Sequence, residues 1–251
     1  MNFDDRHTVF SEREPARKVP VINAPWIVLA FIGVFALIHV FRSLLGEESR
    51  DWFTLAFAFT PARYMELRQA AGFTFPGGVA GDVWTFVSHM FLHGDIAHLI
   101  INSVWMLIFG SVVARRLGVA RFVVFSMVCA AMGALANLIA YWGNFSILVG
   151  ASGAISGQMA AAVRLMFSGH GRWSDLNNRD VSDVPVLPLR ETFRRRGPMT
   201  FIMVWMAVNL VFGLIGMGVS DNIARIACEA HVGGFMGGLL LFGWFSGDSV
   251  R

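Results

Sequence analysis

Charge is what this sequence has least of. Charged residues fill 15% of its 251 positions and hydrophobic residues 55%, against roughly 25% charged in a soluble globular domain. That balance excludes an ordinary soluble fold. The basic residues are dispersed and the formal net charge is only +3, which argues against nucleic acid as a partner. Cysteine is nearly absent, with only Cys129 and Cys228. Cys129 falls about seven residues, or roughly 10 Å, inside one apolar segment, and Cys228 lies near the opposite membrane face, too far for a bridge. A cleavable leader is not expected. Residues 1–22 mix Asp4, Asp5, Glu12 and Glu14 with Arg6, Arg13, Arg17 and Lys18, unlike an acidic-poor transit peptide. The two halves also lack the internal similarity that a transporter built on inverted repeats would show.

What the sequence has instead is long apolar segments. Its 26 glycines, 23 phenylalanines and 8 tryptophans suit helices packed in lipid. Windows of about twenty residues, enough to cross about 30 Å of hydrocarbon, give six candidate spans at 24–44, 95–113, 121–142, 147–167, 199–218 and 226–246. The expected fold is an all-α membrane protein, a six-helix membrane domain over 24–246 with tails at 1–23 and 247–251. Placing the N-terminus inside puts fifteen of the twenty Lys and Arg on or near the cytoplasmic side, including Arg115, Arg116, Arg121, Arg164 and Arg194 to Arg196. Arg42, Arg50, Arg63, Arg68 and Arg225 remain outside. The excess follows the positive-inside rule and fits a multi-pass protein of a bacterial inner membrane.

Two loops carry expectations of their own. Trp52 to Met65 is too short to cross and too apolar for water, so a partly membrane-embedded element is expected, with Arg63 and Tyr64 at the headgroups. The charged, proline-bearing stretch from Asp175 to Arg196 reads as a mobile connector.

The topology aligns four polar residues. Spans two, four and six all run from outside to inside. His98 and Asn102 therefore lie in the outer turns of span two, Ser152 at the outer end of span four, and His231 about a turn into span six. By helix rise all four fall roughly 5–10 Å below the outer boundary. Polar side chains in a span are costly unless they face a cavity or one another. A serine hydroxyl becomes nucleophilic when a base such as His231 accepts its proton. His98 and Asn102, four apart on one helix face, can donate to developing negative charge, as can the Ser152 backbone N–H at a helix N-terminus. Gly153-x-x-x-Gly157 and Gly234-x-x-x-Gly238 are small-residue faces that permit close helix contact.

These residues carry a resemblance. Gly150-Ala151-Ser152-Gly153, His98 and Asn102 behind His89 and His93, and Ala230-His231-Val232-Gly233-Gly234 together resemble the rhomboid family of intramembrane serine proteases. The resemblance implies a Ser152–His231 dyad without an essential aspartate. It further implies an oxyanion hole that uses His98 and Asn102, and close backbone approach at Gly150. Transmembrane proteins would be the substrates, the lipid bilayer the setting, and no cofactor is implied. Three positions depart from the family pattern. Ser156 stands where an aromatic residue often stacks on the catalytic histidine, Thr85 follows Trp84 in place of arginine, and Ala114 replaces an acidic residue.

Other readings apply to the same residues. His89 and His93 are spaced for a metal, but no HExxH carboxylate accompanies them, so structural hydrogen bonding is expected. Glu229 could orient His231 as a third member, although residues two apart on a helix point in different directions. A haem protein would use His98 and His231 as facing ligands and leave the Gly-Ala-Ser-Gly run idle. A proteolytically silent relative that binds membrane proteins is the competing function. Such relatives usually lack the serine or the histidine.

Overall fold

A computed structural model describes residues 23–65, 74–169, 181, 184–218 and 227–247. The terminal tails at 1–22 and 248–251, Arg68, Arg225 and residues 170–180 of the inner loop lie outside the described residues. The fold is all-helical. Helix α1 (Trp26–Leu44) starts directly after Pro25 and buries Val28, Phe31 and Phe35 on one stripe, the spacing that turns an apolar run into a packing face. Helix α2 (Glu47–Phe57) carries Glu47 and Glu48 in its first turn, where they complement the helix dipole. A 3-10 turn (Pro61–Tyr64), α3 (Gly78–Ser88) and a second 3-10 turn (His89–Phe91) complete the first loop.

Asp95 then caps α4 (Ile96–Trp105), its carboxylate accepting from the His98 backbone N–H at 2.8 Å. A π turn over Met106–Gly110 leads into α5 (Ser111–Ala140). Gly118, at φ 71° and ψ 174°, breaks the helical path where spans two and three of the sequence should separate. Only glycine adopts that conformation readily. After α5 come α6 (Ser152–Met166), the short α7 (Leu189–Arg194), α8 (Arg196–Gly218) and α9 (Cys228–Ser246).

Among the described residues, two helical stretches are long and apolar enough to cross a membrane, Trp26–Leu44 and Ile96–Ala140. Large apolar side chains cover the outside, including Leu37, Leu44, Ile139, Leu210 and Trp244. A water-soluble surface rarely exposes so much apolar area. Inside, Phe35, Met106, Phe122, Phe125 and Phe242 are fully buried in one cluster. Helix α9 packs against both α5 and α6.

Three expectations are corrected. The fourth segment becomes helical only at Ser152, because residues 147–151 are used elsewhere. Leu148 forms an antiparallel bridge with Phe59, with N···O distances of 2.8 and 3.1 Å. Arg63 and Tyr64 are bonded into the loop itself rather than standing free as anchors. Arg63 is 2% exposed and donates to the carbonyls of Leu55 and Pro76 and to Asp82, while Phe75 lies over its guanidinium. Tyr64 donates to the Asp82 carbonyl. A planar guanidinium with five donors can hold several chain segments at once, so here it serves as the hub of the loop. The inner loop is also less free than its charge suggests. Val181, Val184, Val186 and Leu187 are buried, and Arg164 donates to the carbonyls of Leu187 and Leu239, each at 2.9 Å.

Candidate active site

Gly150 organises the approach to α6. Its φ of 114° lies in the region that side chains disfavour, and its N–H donates to the His89 carbonyl at 3.0 Å. A Cβ there would come within 2.6 Å of His98 Nε2 and 3.7 Å of Asn102 Nδ2. The bare backbone two residues before Ser152 therefore lies against both side chains expected to stabilise an oxyanion. Ser152 follows as the first residue of α6, where the N–H groups of the opening turn have no helical partner. Asn102 is 3% exposed and donates through Nδ2 to the His98 carbonyl at 3.1 Å. A carboxamide nitrogen has two hydrogens, so one is left for another acceptor.

The glycines of α6 and α9 interlock. A Cβ on Gly234 would overlap the Gly153 carbonyl, and one on Gly238 the Gly157 carbonyl. Gly157 in turn has Cys129 of α5 against it, and Gly133 of α5 lies on the Ala230 carbonyl. At Gly133, Gly153 and Gly234 the backbones of three helices meet without intervening side chains. This register sets Ser152, next to Gly153, level with the turn of α9 that holds His231. Among the described residues no hydrogen bond joins Ser152 to His231. Such bonds are often long in unliganded sites and tighten when substrate binds.

Residues 80–247 match the Rhomboid domain. The chain belongs to the rhomboid family. The Rhomboid protease GlpG of Yersinia pestis (strain Pestoides F) is 27% identical over 170 residues, which is 67% of this chain and 50% of that protein. The protein of the same name from Yersinia pseudotuberculosis serotype O:3 (strain YPIII) gives the same figures. The one from Yersinia enterocolitica serotype O:8 / biotype 1B is 26% identical over the same share. The chain thus spans about half the length of the curated relatives it matches. The rhomboid domain and the apolar helices point to an integral membrane protein. Rhomboid-like proteins include inactive members, so what this rhomboid domain does rests on its own residues.

Several of those residues differ from expectation. His89 has the structural role foreseen for it, its Nδ1 lying 3.0 Å from the Thr85 carbonyl. Burial is the main reason its pKa falls from 6.5 to about 4. His93 is fully buried and packs its ring on Phe35 and His98, while its carbonyl accepts from Arg42 Nη1 at 2.8 Å. Glu229 turns away from His231 and accepts from Asn137 Nδ2 at 3.0 Å. The residue that does touch the imidazole was not singled out from the sequence. Asn209 of α8 places Oδ1 2.6 Å from His231 Nδ1. A lone polar residue in the otherwise apolar run Val208-Asn209-Leu210 was the available signal, since a span seldom holds a carboxamide without a partner.

Proposed function

We propose that this protein is an intramembrane serine endopeptidase that cleaves membrane proteins in or near a transmembrane segment. The reading includes six membrane spans within residues 24–246 and a cytoplasmic N-terminus in a bacterial inner membrane. One observation carries it: the backbones of α6 and α9 meet at Gly153 and Gly234, beside Ser152 and less than a turn from His231.

The chemistry follows from the groups present. The His231 imidazole takes the proton of Ser152 Oγ as the oxygen attacks the scissile carbonyl carbon. The carbonyl oxygen gains charge and is met by the spare Asn102 Nδ2–H, the His98 ring and the Ser152 backbone N–H. Donors held in place before reaction stabilise that charge without reorganising. Collapse breaks the C–N bond, and the imidazolium returns its proton to the leaving amine. Water, deprotonated by the same imidazole, then attacks the acyl carbon, and the imidazolium returns that proton to Ser152 Oγ as the ester C–O bond breaks.

The test is labelling with a serine-reactive fluorophosphonate in liposomes, comparing the parent with Ser152→Ala. Labelling of the parent that disappears in the variant is the expected result. A parent that stays unlabelled while folded would assign the chain to the silent relatives instead.

A further inference from the structure

Helix α8 supplies a polar partner for the His231 imidazole. Its residues Trp205 and Asn209 are four apart, as are Phe235 and His231 on α9. Residues at that spacing share one helix face. The two faces meet as a ladder: Trp205 stacks on Phe235 at 4.3 Å between ring centroids, inclined by 22°, and Asn209 meets His231 at 2.6 Å. Cys228 Sγ also donates to the Asn209 carbonyl at 2.8 Å, tying the start of α9 to the same turn.

The hydrogen bonds settle which way the carboxamide points. Asn209 Nδ2 donates to the Trp205 carbonyl at 2.8 Å. Rotating the amide by half a turn would set Oδ1 against that carbonyl, two acceptors with no proton between them. Oδ1 therefore faces the imidazole, and an oxygen without a proton can only accept. His231 Nδ1 must carry the hydrogen. A neutral imidazole has one such hydrogen, so Nε2 retains its lone pair.

We propose that Asn209 is a positioning residue of the active site, holding His231 in the Nδ1–H form with Nε2 free to accept the Ser152 proton. The inference rests on the protease reading above. Asn209 takes no proton at any step. Oγ–H breaks as Nε2–H forms, and Nδ1–H stays on the imidazolium and donates to Oδ1 throughout. An amide suits this depth better than a carboxylate, because it offers an acceptor without the cost of burying a formal charge. Only a group that accepts and cannot rotate will hold the tautomer. The Trp205 carbonyl removes that rotation.

The first test reads the tautomer directly. Full-length protein labelled with ¹⁵N-histidine in liposomes should show His231 with a protonated Nδ1 and a bare Nε2, the signal assigned by its loss in His231→Ala. A parental His231 protonated on Nε2 overturns the proposal, whatever any variant does. The second test uses Asn209→Leu and Asn209→Asp with a model single-pass substrate. Leu should lower kcat by about ten- to a hundredfold, the usual cost of losing a group that orients a histidine, with KM within about twofold. Asp in its neutral acid form, which burial favours over the carboxylate, can donate its O–H to the Trp205 carbonyl and still accept from Nδ1–H with its other oxygen. It should therefore recover most of the loss. A purely structural clamp predicts the reverse: Leu at this depth would leave kcat at the parental value and move only the melting temperature. That result, or equal impairment of Leu and Asp, overturns the proposal. If neither variant folds, the parental tautomer decides. Failure of the protease reading is distinguishable, since the parent would then not label at Ser152 while its tautomer could still be read.

Discussion

Gly234 of α9 rests directly on the carbonyl of Gly153 in α6, leaving no room for even a single Cβ. The proposed nucleophile and base sit on either side of that contact. Gly234→Ala should therefore separate α6 from α9 and weaken the fold and the site together. Overpacking of this kind costs about 1–3 kcal/mol, read as a lower melting temperature in detergent with a loss of Ser152 labelling. Gly33→Ala in α1, where an added Cβ meets nothing within 4 Å, is the control and should behave like the parent. A Gly234→Ala protein with parental stability and labelling would mean that the contact does not set the register.

The oxyanion donors should act on rate more than on affinity. Asn102→Ala and His98→Ala should each lower kcat by about 10²–10³, the usual loss for one such donor, with KM little changed. The double variant should lose less than the product of the two single losses, because both donors serve one oxygen. An unchanged kcat for Asn102→Ala, with only a fall in stability, would reduce Asn102 to the helix-bracing bond it makes with the His98 carbonyl.

Orientation can be read with single cysteines on exposed residues. Thr192, in the proposed cytoplasmic connector, is fully buried, and Gly143 has Met65 against it at a φ of 77°, so neither suits a probe. Arg194 and Asn144 are exposed and lie on opposite sides of the proposed topology. In intact cells, with Cys129 and Cys228 replaced, Asn144→Cys should react with an impermeant reagent and Arg194→Cys should not. The reverse pattern would put the active layer on the cytoplasmic face.

Acid should loosen the first loop. His89 is buried and its pKa is held at about 4, chiefly by desolvation, against 6.5 when exposed. His93 is held lower still, at about 3, first by burial and then by its neighbours His98 and His39. Both are neutral in the fold, whereas the unfolded chain takes up protons below pH 6.5. Their contribution is therefore complete above that pH and is lost as pH falls from about 6.5 towards 4. The melting temperature should drop across that window. A flat profile from pH 7 to pH 4.5 would show that these imidazoles are reached by water.

Much of this protein was legible because a bilayer restricts what a sequence can become. Apolar runs of about twenty residues must be helices there, since no water satisfies an open backbone. The small-residue faces at Gly153, Gly157, Gly234 and Gly238, and the expected common depth of His98, Asn102, Ser152 and His231, follow from helix period and rise alone. What resisted reading lay outside that regularity. Arg63 looked like a surface anchor because its partners, Pro76 and Asp82, are thirteen and nineteen residues away and only the folded loop gathers them. Val181, Val184, Val186 and Leu187 looked like part of a free connector because the charges around them masked their burial. Asn209 was missed for the same physical reason. Periodicity locates a residue on its own helix, but which neighbour it meets depends on how two helices pack, and that is decided in three dimensions. From the sequence alone, helix rise places Ser152 and His231 at one expected level. Only the packing of α8 against α9 decided which nitrogen of that histidine is free to act.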